Sequence, residues 1–244
     1  MGKENESLLI LRPELAVRGF DEVQKRRAEI DSTEAYVRAR VLSRAQSALQ
    51  RHRIYEEPCA SMREAIAASM NLLSQYEKLQ AIEWTRITSE GDVRDALLDL
   101  LDAGQDLGPR SRRFLERTAL RELDGGRKAG VSATAASFLL CMSDPSRHAF
   151  AKPERAFTPA WQLLCTRAGQ VEPDVVGANR IPVATALYIE LRTLWARERG
   201  FSGDLLDVHT ILFALAPKGL IEGGWSLALT PELVVEMGLE FART

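Results

Sequence analysis

Histidine and cysteine are scarce in this chain of 244 residues, with three of each, and that scarcity removes whole classes of chemistry. His52, His148 and His209 lie far apart, and none pairs with a thiol or carboxylate at the spacing of a helix-borne metal site. No metal and no other cofactor is expected. Cys59, Cys141 and Cys165 are odd in number, lack a Cys-x-x-Cys pair and sit among small or apolar neighbours, so they read as core thiols of a reducing compartment. No apolar run approaches the roughly 20 residues of a membrane helix, and residues 1–6 carry no signal-peptide stretch. A cytoplasmic protein without a membrane partner is expected. The sequence has no Gly-x-Ser-x-Gly elbow and no phosphate-cradling loop of the NTPase kind, which disfavours serine hydrolase and nucleotide-hydrolysing readings.

Only 7% of the residues are aromatic and ten are proline, a composition that suits helices better than a β-sandwich. Apolar residues recur every three or four positions along most of the chain, which predicts an all-α, compact multi-helix domain over 1–244. Its finest division is an N-terminal helical part, 1–106, and a hairpin-containing part, 107–244. The spacing predicts a long amphipathic helix over 20–57, with a break near Asp31, ended by Pro58. A second covers 61–79, with Met62, Ile66, Met70, Leu73 and Tyr76 as its inward stripe. Ser89 and its neighbours cap a third. Pro109 opens a helix to 123, with Phe114, Leu115 and Ala119 inward and Arg110, Arg113, Arg117 and Arg121 outward. The run 131–142 has no charge at all, which predicts a helix buried on nearly every side. Further helices are expected over 158–167, 181–199 and 205–216, then a small hairpin over 219–229 and a helix from Pro231.

Net charge is −2, which by itself argues against a nucleic-acid binder. The charge is unevenly spread, however. Residues 110–155 hold ten Lys or Arg against five Asp or Glu, a local excess of +5 that leaves −7 for the rest. Within that stretch, Asp124-Gly125-Gly126 and Gly130 flank Arg127 and Lys128 and lead into the charge-free helix. Two readings fit this turn. It is either a tight helix–helix connection whose glycines permit the backbone angles, or a phosphate clamp in which free amides at a helix start are reinforced by Arg127 and Lys128.

The pattern Gly130-Val131-Ser132-x-x-Ala135-Ala136-x-x-Leu139-Leu140, then Asp144-Pro145, Phe150-x-x-Pro153 and a helix ending at Arg167-Ala168-Gly169, resembles the helix-hairpin-helix DNA glycosylases. In that family the hairpin reads Leu-Pro-Gly-Val-Gly-x-x-Thr-Ala, and a later Pro-Val-Asp carries the catalytic aspartate. Leu205-Leu206-Asp207-Val208-His209 is similar to a leucine-aspartate element of helical DNA-recognition modules. This chain differs at Ala129, Ser132, Ala135 and Pro153, where the family has proline, glycine, threonine and the catalytic aspartate.

The resemblance implies a DNA glycosylase-like enzyme that flips an altered or hypermodified base out of duplex DNA and cuts its bond to the sugar, as a defence against phage DNA. Asp207 or Glu154 would stabilise the cationic sugar, or Lys152 would attack it. Arg110, Arg113, Arg127, Lys128, Gly130, Ser132 and Arg155 would contact DNA. Trp84, Trp161 and Tyr188 would wall the base pocket. The plainer roles are a helix cap or ion pair for Asp207, a solvated loop residue for Lys152, a helix N-terminal acid for Glu154 and core packing for the aromatics. With Pro153 at the aspartate position, a non-catalytic reader of modified DNA working beside a nuclease or ATPase is the alternative. A helical protein-interaction adaptor is a third.

Overall fold

The charge-free stretch forms the helix Ala133–Ser143, and every residue from Ala133 to Met142 is buried. A helix without a polar face has no stable place except inside a bundle, and the others are arranged around it. The computed structural model describes residues 13–153, apart from 26, 28–30, 32–34 and 36, and residues 177–215. Numbered in chain order among the described residues, the helices are α1 (Pro13–Gln24), α2 (Ser43–Ala48), α3 (Arg51–Glu56), α4 (Pro58–Ala68), α5 (Gln75–Ile87), α6 (Glu90–Leu101), α7 (Leu107–Arg117), α8 (Ala133–Ser143), α9 (Arg180–Arg199) and α10 (Leu205–Leu215). A π-helical turn, Arg38–Leu42, leads into α2. The only sheet among the described residues is an antiparallel pair, β1 (Arg121–Glu122) with β2 (Lys128–Ala129). No helix among the described residues is long and apolar enough to cross a membrane.

Buried residues gather in two clusters. The larger joins α2 to α8 and includes Met62, Trp84, Leu97, Phe114 and Phe138. The smaller joins α1, α9 and α10 through Phe20, Tyr188, Trp195 and Leu212. Phe150 links them, meeting Phe138 edge-on at 5.8 Å on one side and the His209 ring at 4.7 Å on the other. The larger cluster runs across residue 107, since Phe114 and α8 pack with the N-terminal helices.

Several element boundaries differ from the periodicity. The stretch 20–57 is several elements: among its described residues, the backbone turns extended at Gln50 (ψ 137°), which starts α3 afresh and lets Ile54 point inward. The preceding helix ends at Glu56, just before Pro58 as expected, and Pro58 also heads α4 at its first turn, a position where its missing N–H costs nothing. The stretch 61–79 is two helices. Met70 takes a left-handed φ of 48°, and Ser74 then starts α5 through a capping box. Its hydroxyl accepts the Glu77 amide at 3.2 Å while the Glu77 carboxylate accepts the Ser74 amide at 2.9 Å. Tyr76 falls on the outer side of the new helix and is 79% exposed, so it leaves the inward stripe. The expected elements over 158–167, 219–229 and from Pro231 lie outside the described residues.

Candidate nucleic-acid interface

The helix expected over 109–123 ends at Arg117. Thr118 closes it, its amide and hydroxyl both donating to the Phe114 carbonyl at 2.9 Å. The chain then runs out as β1, turns at Asp124–Gly126 and returns as β2. Gly125 and Gly126 make that turn with φ of 79° and 75°, a region open to glycine at no steric cost. A β-hairpin therefore stands where a helix–helix connection was expected.

The hairpin's base is wedged into the protein. Gly130 donates its amide to the Gln80 carbonyl on α5 at 3.1 Å, and Val131 donates to the Thr118 carbonyl at 2.9 Å. A Cβ on Gly130 would lie 2.7 Å from Leu120 Cα and 2.8 Å from the Thr118 oxygen. Gly130 thus serves close backbone approach. Ser132 caps α8, its hydroxyl accepting the Ala135 amide at 3.1 Å and donating to Glu77 Oε1 at 2.9 Å. One carboxylate, Glu77, therefore serves the starts of both α5 and α8. The amides of Gly130, Val131 and Ala135 are satisfied inside the protein, so a phosphate at this turn would have to displace internal partners.

The cations of the region divide into two groups. Arg121, Arg127 and Lys128 are exposed on the hairpin; Arg127 Nη1 stands 3.6 Å from Glu83 Oε2. Arg110 and Arg113 do other work. Arg110, expected outward, is 2% exposed. Its Nη1 donates to the carbonyls of Leu100 and Asp102 at 2.8 and 3.0 Å, satisfying the end of α6, and its Nη2 lies 3.1 Å from His148 Nε2. Because a guanidinium only donates, His148 Nε2 accepts and the imidazole is neutral. Burial first, and the Arg110 charge second, hold the His148 pKa down at about 4. Arg113 makes a forked pair with Asp99 at 3.0 and 2.6 Å, which holds the Asp99 carboxyl below its ordinary range. Arg155 lies outside the described residues.

The residues assigned to chemistry are also engaged structurally. Lys152 Nζ donates to the carbonyl of Leu72 at 2.7 Å. Asp207 sits in the first turn of α10, where Oδ2 accepts the Asp204 amide at 2.7 Å and Oδ1 accepts Arg38 Nη2 at 2.5 Å. Arg38 also reaches Asp204 at 2.9 Å. Burial pushes the Asp207 pKa up against the opposing Asp204 amide. Asp207 lines a cleft of about 590 Å³ with Phe20, Asp21, Arg199, Phe201 and Gly203, between α1 and the turn into α10. Trp84 belongs to the larger buried cluster and Tyr188 to the smaller, with the Tyr188 hydroxyl 3.3 Å from the Phe150 carbonyl and 3.2 Å from His209 Nδ1. The two rings do not share a cluster. Glu154 and Trp161 lie outside the described residues. No group of three or more His, Cys, Asp or Glu able to hold a metal occurs among the described residues.

Sequence reasoning missed Glu77, Arg38 and the exposed side of α5. The signal for Glu77 was present as Ser74-x-x-Glu77, a capping box. Nothing local marks Arg38, whose partners are 166 and 169 positions away. No protein family, curated protein or solved structure matches the chain.

Proposed function

We propose that the chain is a DNA-binding module that reads DNA without cutting it, with the β1–β2 hairpin as its phosphate-contacting element. The observation that carries this reading is the placement of Arg121, Arg127 and Lys128 on an exposed hairpin, inside a stretch, 110–155, whose excess of +5 stands against a net charge of −2 for the chain. A two-stranded ribbon is narrow enough to follow a groove, and its cations gain from releasing the counterions condensed on DNA. The resemblance of the Gly130 region to helix-hairpin-helix proteins points to DNA as the polyanion and to an altered or hypermodified base as its target. The structural engagement of Lys152 and Asp207 supports reading over cutting, and the module would work beside a nuclease or ATPase, with any cleavage supplied by the nuclease.

Binding of the full chain to a duplex oligonucleotide, measured by anisotropy across a salt series, tests the proposal. Affinity is expected to fall linearly in log–log form with rising salt. The double substitution Arg127→Ala with Lys128→Ala is expected to weaken binding and to flatten that slope by about 1.8, roughly 0.9 for each phosphate no longer neutralised. A slope identical to the parent's removes the hairpin from the interface, and no retention of DNA at low salt favours the adaptor reading.

Glycosidic-bond cleavage is the second reading, favoured by Asp207, whose carboxyl is pushed up and lines a cleft. Duplexes carrying uracil, alkylated, oxidised or glucosylated bases, treated with alkali after incubation, reveal abasic sites as strand breaks. The reader proposal expects none. Breaks that vanish in Asp207→Asn would establish the enzyme instead.

A further inference from the structure

Helix α5 turns Ala81, Trp84 and Thr85 inward and leaves Tyr76, Leu79 and Ile87 on its surface. Tyr76 is 79% exposed, Leu79 50% and Ile87 48%. Tyr76 and Leu79 are three apart and share one side of the helix with Ile87, with the carboxylate of Glu83 between Leu79 and Ile87. The fold gains little from such a stripe, since the apolar area is still in water.

The stripe runs beside the hairpin, which is tied to α5 at three successive levels. Glu77 takes the Ser132 hydroxyl, the Gln80 carbonyl takes the Gly130 amide, and Glu83 faces Arg127. Across Gly130 the chain at Leu120 comes within van der Waals reach, and the Leu120 side chain is itself 53% exposed. The strands and turn around it, residues 117–132, carry four cations, Arg117, Arg121, Arg127 and Lys128, against Glu122 and Asp124. An exposed aromatic and aliphatic strip with a cationic ribbon along its edge matches a chain that offers flat apolar faces and a phosphate on every unit. In a duplex those faces are stacked away, while in an unpaired strand they are free.

We infer that Tyr76 and Leu79 form a platform on which unpaired bases of single-stranded DNA stack while the hairpin cations hold the backbone. This rests on the DNA-binding reading above and narrows it to an unpaired segment. The ring of Tyr76 gives a base a π-face without sequence preference, and Arg121 and Lys128 supply salt-dependent affinity. Neither cation has an ion-pair partner among the described residues.

The test compares a 15-residue oligothymidine with a 15-base-pair duplex, each titrated by anisotropy with the full chain. The oligothymidine is expected to bind more tightly than the duplex. Tyr76→Ala is expected to weaken oligothymidine binding about tenfold or more while leaving duplex binding unchanged, and Tyr76→Trp to retain it. Because Tyr76 is exposed, the thermal midpoint of Tyr76→Ala should equal the parent's, which separates a stacking defect from a folding defect. The hairpin double substitution weakens both ligands. Undiminished oligothymidine binding by Tyr76→Ala overturns the platform and leaves the DNA-binding reading standing. Absence of binding to both oligonucleotides at low salt overturns the reading on which the platform rests, whereas self-association through this strip in their absence overturns the platform alone.

Discussion

Gly130→Ala is expected to lower the thermal midpoint by about 10 °C. The added carbon would meet backbone atoms of Thr118 and Leu120 at 2.7 to 2.9 Å, and the backbone φ of 153° is one that side chains rarely adopt. Backbone cannot rotate aside as a side chain can, so relief requires the hairpin base to move away from α5. That movement would stretch the bonds from Gly130 to Gln80 and from Val131 to Thr118. A cost of about 3 kcal/mol follows, which a domain of this size registers as roughly 6 to 12 °C. Gly126→Ala is the control. Its φ is 75° but nothing lies within 4 Å of the added carbon, so only the left-handed backbone penalty of about 1 kcal/mol applies. Equal midpoints for the two variants, by calorimetry or circular dichroism, would contradict the wedge at Gly130.

Acid is expected to destabilise the protein from pH 6.5 downward, beginning above the range in which ordinary carboxylates titrate. His148 is held at about 4 by burial and then by Arg110, and His209 at about 3 by burial and then by Lys152, against an ordinary 6.5. Both are neutral when folded. Below pH 6.5 the unfolded chain takes up two protons that the folded chain refuses, so stability is complete above that pH and declines as pH falls toward 4. From pH 6.5 to 4 each group costs the folded state about 3 kcal/mol, at 1.36 kcal/mol for each unit of pKa difference. Their sum is comparable with the entire stability of an ordinary domain, about 5 to 15 kcal/mol. Asp207 opposes this trend, because its raised pKa means that the folded state gains a proton first. Asp21 and Asp99, both lowered by arginine partners, add their losses only at lower pH. Urea midpoints from pH 7.5 to 4.5 would show the decline, and His148→Gln, which keeps an acceptor for Arg110, should roughly halve its slope. A midpoint unchanged over that range would mean that the two histidines are hydrated.

The all-helical character and the buried α8 were legible because both follow from local composition: a charge-free run of this length has one stable environment. Pro109 in the first turn of α7 was legible for the same reason. The hairpin was not, because its strands are two residues long, too short to show an alternation, and Leu120 and Leu123 continue a helical spacing past Arg117. Its existence depends on Gln80 and Thr118 offering carbonyls to Gly130 and Val131, partners that no local window contains. Arg110 was misplaced by the rule that charge faces water. The competing need came from the end of α6, whose orphan carbonyls it satisfies. The inward position of Tyr76 assumes one unbroken helix over 61–79, whereas the break at Met70 shifts the helical register and the Ser74 capping box marks a new start. Of the site itself, the cationic turn was visible as a charge excess, whereas the sorting of its arginines into exposed and buried sets depends on tertiary partners.

The hydrogen bonds of Glu77 and Gly130 also set how the hairpin moves. Its tip has two glycines and open space around them, but its root is bonded to α5 and to the first turn of α8 with no flexible joint between. It is a lever clamped at one end. A load applied at the tip therefore passes directly to the helix at the centre of the larger core instead of being absorbed by a loose loop.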